Sequence, residues 1–363
     1  MENKIKIGIT HGDINGVGYE IILKMLQDPA LIDLCTPIVY GSPKVAAYHK
    51  KVLNIESVSF NIITKVEDAN HKRINIINCV DEEVKVELGK STPIAGRASW
   101  LALERATKDC KRGAIDALVT APINKKNIQS ENFQFTGHTD YLRAKFDVEQ
   151  KVLMIMATES LKVGLLTMHI PLAEVPSHVT SANLREHIQL FENCLKQDFR
   201  ILKPRIAVLG VNPHAGDSGV IGKEEQEVIK PVISELKNKG LLCYGPFAAD
   251  GFFGSESYRS YDGVLAMYHD QGLVPFKTLA MEYGVNYSAG LPIIRTSPDH
   301  GTAYDIVGMN KASEMSIRHA LYMAIDIFNN RHFYEEAHAN PLRRQYYEKG
   351  ADMDASAIED TEI

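Results

Sequence analysis

The sequence predicts an α/β protein built mainly on parallel sheet, and three observations carry that reading. Short β-rich runs alternate with amphipathic helical runs almost from end to end. Most strand candidates are continuous apolar runs, as strands covered on both faces require. At 363 residues the chain also exceeds what one hydrophobic core usually sustains, so two domains, or a domain pair sharing an interface, are expected.

The strand candidates fall at residues 4–10, 37–41, 58–64, 116–122, 151–158, 163–170, 205–213 and 262–269. Between them lie helix candidates at 98–112, 181–197 and 222–240, the last stopped by Gly240. Near the carboxyl end, residues 313–328 put Ile317, Leu321, Ala324, Ile325 and Phe328 on one face, with Ser313 or Ser316 available as a cap. That helix is expected to pack on a sheet. The charged stretch that follows ends in small and acidic residues and reads as a frayed tail.

Composition narrows the function. With 45% hydrophobic and 24% charged residues the chain is an ordinary globular one, and 40 basic against 46 acidic residues leave a net charge of -6. That argues against a nucleic-acid partner while leaving room for a local basic pocket. The five cysteines (Cys35, Cys79, Cys110, Cys194, Cys243) are scattered, without the pairing of a zinc knuckle or disulfide framework. No signal-peptide block opens the sequence and no apolar run reaches membrane-span length, so a reducing cytoplasm and no membrane are expected.

In an open α/β sheet, ligands bind beyond the carboxyl ends of strands. Three histidines sit at such points: His169 in TMHIPL, His214 in NPHAGDSG and His269 in MYHDQG. Three imidazoles would hold a divalent ion and leave positions open for substrate. By contrast His49, His187, His319, His332 and His338 are expected on helical or charged surfaces and receive no role.

Other polar clusters share this topography. FTGHTDYL offers His138 and Thr139 ahead of a helix whose backbone N–H groups suit an anion. Lys277, Asn286 and Arg295 together suit a phosphate or carboxylate. The run PDHGTAYDIVG presents Asp299, His300, Gly301, Thr302 and Asp305. Gly12, Gly16 and Gly18 lie between a strand and a helix, but their spacing is not that of a dinucleotide fingerprint.

Taken in order, ITHGDINGVGYEI, DALVTAPINK, FTGHTDYL, TMHIPL, NPHAGDSG, MYHDQGLVPFK and PDHGTAYDIVG make the chain resemble the 4-hydroxythreonine-4-phosphate dehydrogenase family, from Lys4 to about Asn330. The resemblance implies two α/β/α domains with a cleft between them, similar to isocitrate and isopropylmalate dehydrogenases. Residues 1–132 with 303–349 would form one domain and 133–302 the other, with 350–363 a disordered tail. It also implies a homodimer, NAD or NADP bound outside the usual Rossmann pattern, and one divalent ion (Zn, Co or Mg) per site. His169, His214 and His269 match the family's metal ligands, the third supplied across the dimer interface. His138, Thr139, Lys277, Asn286 and Arg295 match its substrate positions, and Asp299, His300, Gly301, Thr302 and Asp305 its cofactor segment.

The implied reaction is oxidation of 4-phosphooxy-L-threonine, a small phosphorylated hydroxy acid, to a 3-keto acid that decarboxylates to 3-amino-2-oxopropyl phosphate. Asp250, Asp270 and Lys125 are the candidates for proton transfer. Departures from the family pattern at Ile14, Asn15, Tyr19, Ala248 and Gly251 touch loops around the cleft and leave substrate identity more open than reaction class. A dehydrogenase of 4-phospho-D-threonate or 4-phospho-D-erythronate is therefore the alternative. A metal-dependent hydrolase or a non-redox binding protein is a remote third reading.

Overall fold

Residues 4–80 and 84–340 are described by the computed structural model; the tail expected at 350–363 lies outside them. Twelve strands among these residues are β1 (Lys6–Thr10), β2 (Thr36–Gly41), β3 (Phe60–Ile63), β4 (Ile74–Asn78), β5 (Ala117–Thr120), β6 (Leu153–Ala157), β7 (Lys162–Leu165), β8 (Arg205–Leu209), β9 (Leu242–Phe247), β10 (Gly263–Ala266), β11 (Val285–Ala289) and β12 (Ile294–Pro298). They join into one sheet in the order β3-β4-β2-β1-β5-β12-β11-β6-β7-β10-β8-β9. The helices are α1 (Gly18–Met25), α2 (Leu31–Leu34), α3 (Pro43–Leu53), α4 (Pro93–Lys111), α5 (His138–Lys145), α6 (Val175–His178), α7 (Ser181–Gln197), α8 (Lys230–Asn238), α9 (Ala249–Gly254), α10 (His269–Ala280) and α11 (Met315–His338).

The sheet is mixed at its centre. From β3 across to β12 every pairing is parallel, and so are the pairings among β7, β10, β8 and β9. The two parallel groups run in opposite directions because β11 pairs antiparallel with both β12 and β6, and β6 antiparallel with β7. The expected eight strands are all present; β4, β9, β11 and β12 were not anticipated. Residues 285–289 and 294–298 are short segments interrupted by polar side chains and flanked by Gly290 and Pro292, so no continuous apolar run marks them.

Capping and packing account for the helices. Thr92 and Thr180 cap α4 and α7, each side-chain oxygen accepting from a first-turn backbone N–H. The candidate at 222–240 is a π-turn at Glu225–Ile229 running into α8, ended before Gly240, which takes φ 92°. On α11, Ile317, Ala320, Leu321, Ala324 and Ile327 are buried against the sheet, while Ile325 and Phe328 are only partly covered. Each fully buried Ile or Leu side chain there contributes roughly 1.5–3 kcal/mol. Neither expected serine caps this helix through the Ncap position, which is Glu314; Ser316 instead accepts from Asp299 N–H (3.0 Å) and donates to Gly284 O (2.7 Å).

Candidate active site

The period-2 alternation of the two central strands decides what faces the cleft. On β12, Thr296 turns toward α11, its hydroxyl donating to Ala320 O at 2.7 Å, so its neighbour Arg295 turns the other way. On β11, Tyr287 likewise turns toward α11, donating to Asp198 (2.6 Å), which also accepts from Arg331 at 2.7 Å. Asn286 and Ser288 therefore share the face of Arg295. That face is the floor of a cavity of about 400 Å³, also lined by Lys125, His138, Thr139, Asp140, Arg143, Lys151 and His169. A larger depression of about 1110 Å³ lies by the β6–β7 turn and α11 and holds none of the expected site residues. The chemistry of the smaller cavity, not its size, marks it as the site.

Arg295 is 3% exposed. Its guanidinium donates to the Thr120 hydroxyl from Nε (3.1 Å) and Nη2 (2.7 Å), and to the Ser288 hydroxyl from Nη1 (3.2 Å). Burial lowers its pKa to about 10, and no carboxylate among the described residues pairs with it. His138 opens α5 after Gly137, with no side chain capping that terminus. Burial, aided by the Arg295 and Lys125 charges, holds the His138 ring far below the usual imidazole range, and its Nε2 is buried without a partner. Thr139 Oγ1 lies 3.2 Å from Ser288 Oγ, and Asn286 Oδ1 is another buried acceptor without a partner. Four cationic side chains thus face the cavity against one carboxylate, Asp140.

The expected metal ligands divide. His169 and His269 follow neighbouring strands, and their ring centroids stand 5.8 Å apart. Desolvation, then the Lys125 and His269 charges, lower the His169 pKa. His269 Nδ1 is 2.7 Å from Asp270 Oδ1. His214 sits apart in an exposed turn where His214, Ala215, Gly216, Asp217 and Ser218 all take positive φ, from 41° to 79°. Each non-glycine residue there costs roughly 1–2 kcal/mol. The buried Glu225 carboxylate offsets this by accepting from Val211 N–H (2.7 Å) and Asn212 N–H (2.8 Å). Among the described residues no three His, Cys, Asp or Glu side chains form a metal-binding group within one chain.

Of the remaining expected residues, Asp250 is exposed on α9 and is not among the cavity-lining residues, and Asp270 is engaged with His269. Lys277 pairs with Asp299, 3.0 Å from Oδ1, and donates to Asp299 O at 3.0 Å. Burial raises the Asp299 pKa against the opposing Lys277 contact. Asp299 Oδ2 and His300 Nε2 are both buried without partners, and Gly301 has nothing within 4 Å of where a Cβ would stand. Thr302 O accepts from Val17 N–H at 3.0 Å, which docks this segment on the β1–α1 turn, while Asp305 is exposed.

The family profile described as "Pyridoxal phosphate biosynthetic protein PdxA" matches residues 33–324. The chain belongs to the PdxA family. A 4-hydroxythreonine-4-phosphate dehydrogenase of Bacteroides thetaiotaomicron is 57% identical over 353 residues, covering 97% of each chain. A protein of Oceanobacillus iheyensis, provisionally named D-threonate 4-phosphate dehydrogenase, is 38% identical over 331 residues, 90% of this chain and 99% of its own. The crystal structure of the Klebsiella pneumoniae 4-hydroxythreonine-4-phosphate dehydrogenase superposes with a TM-score of 0.77 at 33% identity, covering 90% of this chain and 99% of that one.

Two of the departures noted in the sequence, Tyr19 and Asn15, are held by specific contacts. Tyr19 stacks between His11 and His49, at 5.2 Å from each, and accepts from Ser42 N–H at 2.8 Å. Asn15 donates to Lys90 O (2.8 Å) and accepts from Glu87 N–H (2.8 Å), pinning the 87–92 segment beside Tyr304. Sequence reasoning missed Asp13, a fully buried carboxylate that accepts from Tyr304 OH and Asn127 Nδ2, each at 2.8 Å. It also passed over His178, Asn183 and His187, which line the cavity. His49 and His187, expected on helical or charged surfaces, are instead 1% and 5% exposed, because each falls on the inward face of its amphipathic helix.

Proposed function

We infer that this PdxA-family chain is a 4-hydroxythreonine-4-phosphate dehydrogenase. It oxidises 4-phosphooxy-L-threonine with NAD or NADP to a 3-keto acid, which loses carbon dioxide to give 3-amino-2-oxopropyl phosphate for pyridoxal phosphate synthesis. The observation that carries this reading is the buried Arg295 guanidinium, which meets only hydroxyl groups. A desolvated cation without a counter-charge calls for an anion from outside the chain. The excess of Lys125, Arg143 and Lys151 over Asp140 suits a substrate carrying both phosphate and carboxylate.

His138, Thr139, Asn286 and Arg295 bind and orient that substrate on the sheet face. Lys125, at the cavity rim where it influences both His138 and His169, is the one of the three proton-transfer candidates positioned to exchange a proton with bound substrate. His169 fits one ligand of a divalent ion, and His269, on the exposed start of α10, fits a ligand offered across a subunit interface, as the resemblance implies. The Asp270 carboxylate fixes the His269 tautomer and leaves Nε2 free. Among the described residues no three such side chains gather within one chain, which agrees with a set completed between the two subunits of a homodimer. A bound divalent ion supplies Lewis acidity toward the substrate hydroxyl. The unpartnered Asp299 Oδ2 and His300 Nε2 fit groups that would hold a dinucleotide, which when bound would supply the hydride acceptor.

The test is NAD(P)H formation by purified protein with 4-phosphooxy-L-threonine, 4-phospho-D-threonate and 4-phospho-D-erythronate, each with zinc, cobalt or magnesium. Turnover of the amino acid with release of carbon dioxide is expected. No reduced cofactor with any of the three would return the chain to the hydrolase or binding-protein reading. The Oceanobacillus relative favours D-threonate 4-phosphate as the second reading, and preferential turnover of that acid would establish it.

A further inference from the structure

One wall of the cavity comes from the start of α7, where the side-chain donors are engaged within the protein and acceptors are left over. Asn183 and His187 stand one helical turn apart on the same face. The Asn183 amide is oriented without ambiguity, because Nδ2 donates to His178 O at 2.9 Å. Its Oδ1 is consequently turned the other way, and it is buried without a partner. His187 Nδ1 lies 2.8 Å from Asn183 O, and a carbonyl can only accept, so Nδ1 carries the proton and Nε2 presents a lone pair. The ring is 5% exposed, and burial, with the Lys151 charge adding, keeps its pKa below the ordinary value, which preserves Nε2 as an acceptor.

Two acceptors on residues that line one cavity wall select a donor. Resting on the function proposed above, we propose that Asn183 Oδ1 and His187 Nε2 form a subsite for the substrate's 2-ammonium group, by which the enzyme prefers a phosphorylated amino acid to the corresponding hydroxy acid. An ammonium carries three N–H donors and can satisfy both acceptors at once. A hydroxyl carries one and leaves one of the two acceptors without a donor once the ligand has displaced water, a loss that discriminates more strongly than shape alone. The cavity's surplus of positive charge does not oppose this, since phosphate and carboxylate together outweigh one ammonium. Arg295 on the floor and Asn183 on the wall would then hold opposite ends of a single molecule, within a volume of about 400 Å³ that suits a ligand of this size.

The experiment compares Asn183→Leu and Asn183→Asp with wild type. KM for 4-phosphooxy-L-threonine, binding of that ligand by calorimetry, and the dissociation constant of 4-phospho-D-threonate are measured on each protein after its fold is checked by circular dichroism. Asn183→Leu is expected to weaken the amino acid about 10-fold or more while leaving the hydroxy acid within about 2-fold. Asn183→Asp, which keeps the acceptor and adds charge, is expected to retain the amino acid and weaken the hydroxy acid about 10-fold. Equal shifts for both ligands, or no shift for either, would overturn the subsite. Wild-type protein that binds 4-phosphooxy-L-threonine without oxidising it would defeat the proposed function alone, because the calorimetric ratio still reports on Asn183.

Discussion

Arg295 and Thr120 are joined by two hydrogen bonds, from Nε at 3.1 Å and Nη2 at 2.7 Å, across the β12–β5 pairing, and this hydroxyl is the nearest thing to a counter-charge the buried guanidinium has. The arrangement fixes the plane of the guanidinium without neutralising it, which leaves its remaining donors directed to an anionic ligand.

Arg295→Met is therefore expected to raise the KM for the phosphorylated substrate by about 10- to 150-fold, the equivalent of a charge-assisted contact of about 1.5–3 kcal/mol. Its melting temperature without ligand should be no lower than that of wild type, because a desolvated charge has been removed. Inorganic phosphate should raise the melting temperature of wild type and not of the variant. A variant that melts lower and keeps its KM would make Arg295 a structural residue.

Asp13 ties the candidate cofactor segment to the first half of the sheet through Tyr304 OH, and Asn127 shares the same carboxylate oxygen, each contact being 2.8 Å. Tyr304→Phe removes that tie without changing the ring. The expected result is a KM for NAD or NADP raised by about 5- to 10-fold, the equivalent of about 1 kcal/mol transmitted from one lost hydrogen bond, with the KM for substrate unchanged. A rise confined to the substrate KM would place Tyr304 in the wrong half of the cleft.

His11 is fully buried in the stack with Tyr19, and desolvation, outweighing weak backbone contacts at Gly12 and Ala98, lowers its pKa to about 4. The folded-state value lies below the unfolded one, so between pH 6.5 and 4 the unfolded chain takes up a proton that the folded chain refuses, and stability falls as pH falls. His11→Phe keeps a ring in the stack and has nothing to titrate. It should lose about 2 kcal/mol less stability than wild type between pH 7 and pH 5, read from urea unfolding at the two pH values. Parallel acid profiles for the two proteins would show that His11 does not contribute to that limb.

What the sequence made legible, and what it hid, follows from how local each signal is. His138, His169 and Arg295 could be singled out because polar side chains interrupting or ending apolar runs are visible along the chain. The direction reversal at β11 and β6 could not, because pairing partners far apart in sequence decide it. Asn183 and His187 were unreadable for the opposite reason: their spacing satisfies the periodicity of an amphipathic helix, and only the cavity beside α7 distinguishes them from core. Asp13 stands among turn residues, and its role depends on Tyr304, nearly three hundred residues away. Lys277 carried a charge that the sequence could notice, but its pairing with Asp299 is a tertiary fact.

The last prediction concerns how the histidine set is shared. His169 and His269 are neighbours at 5.8 Å in one chain, yet His269 and Asp270 open α10 on an exposed surface that also carries Val274, 62% exposed, so the pair faces outward, where a second subunit would meet it. If His169 and His214 of one subunit are completed by His269 from its partner, then His169→Ala and His269→Ala homodimers each lack a ligand at both sites. In a mixed dimer one site collects both defects, while the other receives its full set. Activity and bound metal should then return to roughly half of wild type in pure heterodimer, provided the sites act independently. Mixing His169→Ala with His214→Ala should restore neither, since those two ligands come from the same subunit. Recovery in the second mixture instead of the first would assign His214, not His269, to the partner. Recovery in neither, with folded subunits shown to exchange, would confine the metal site to a single chain.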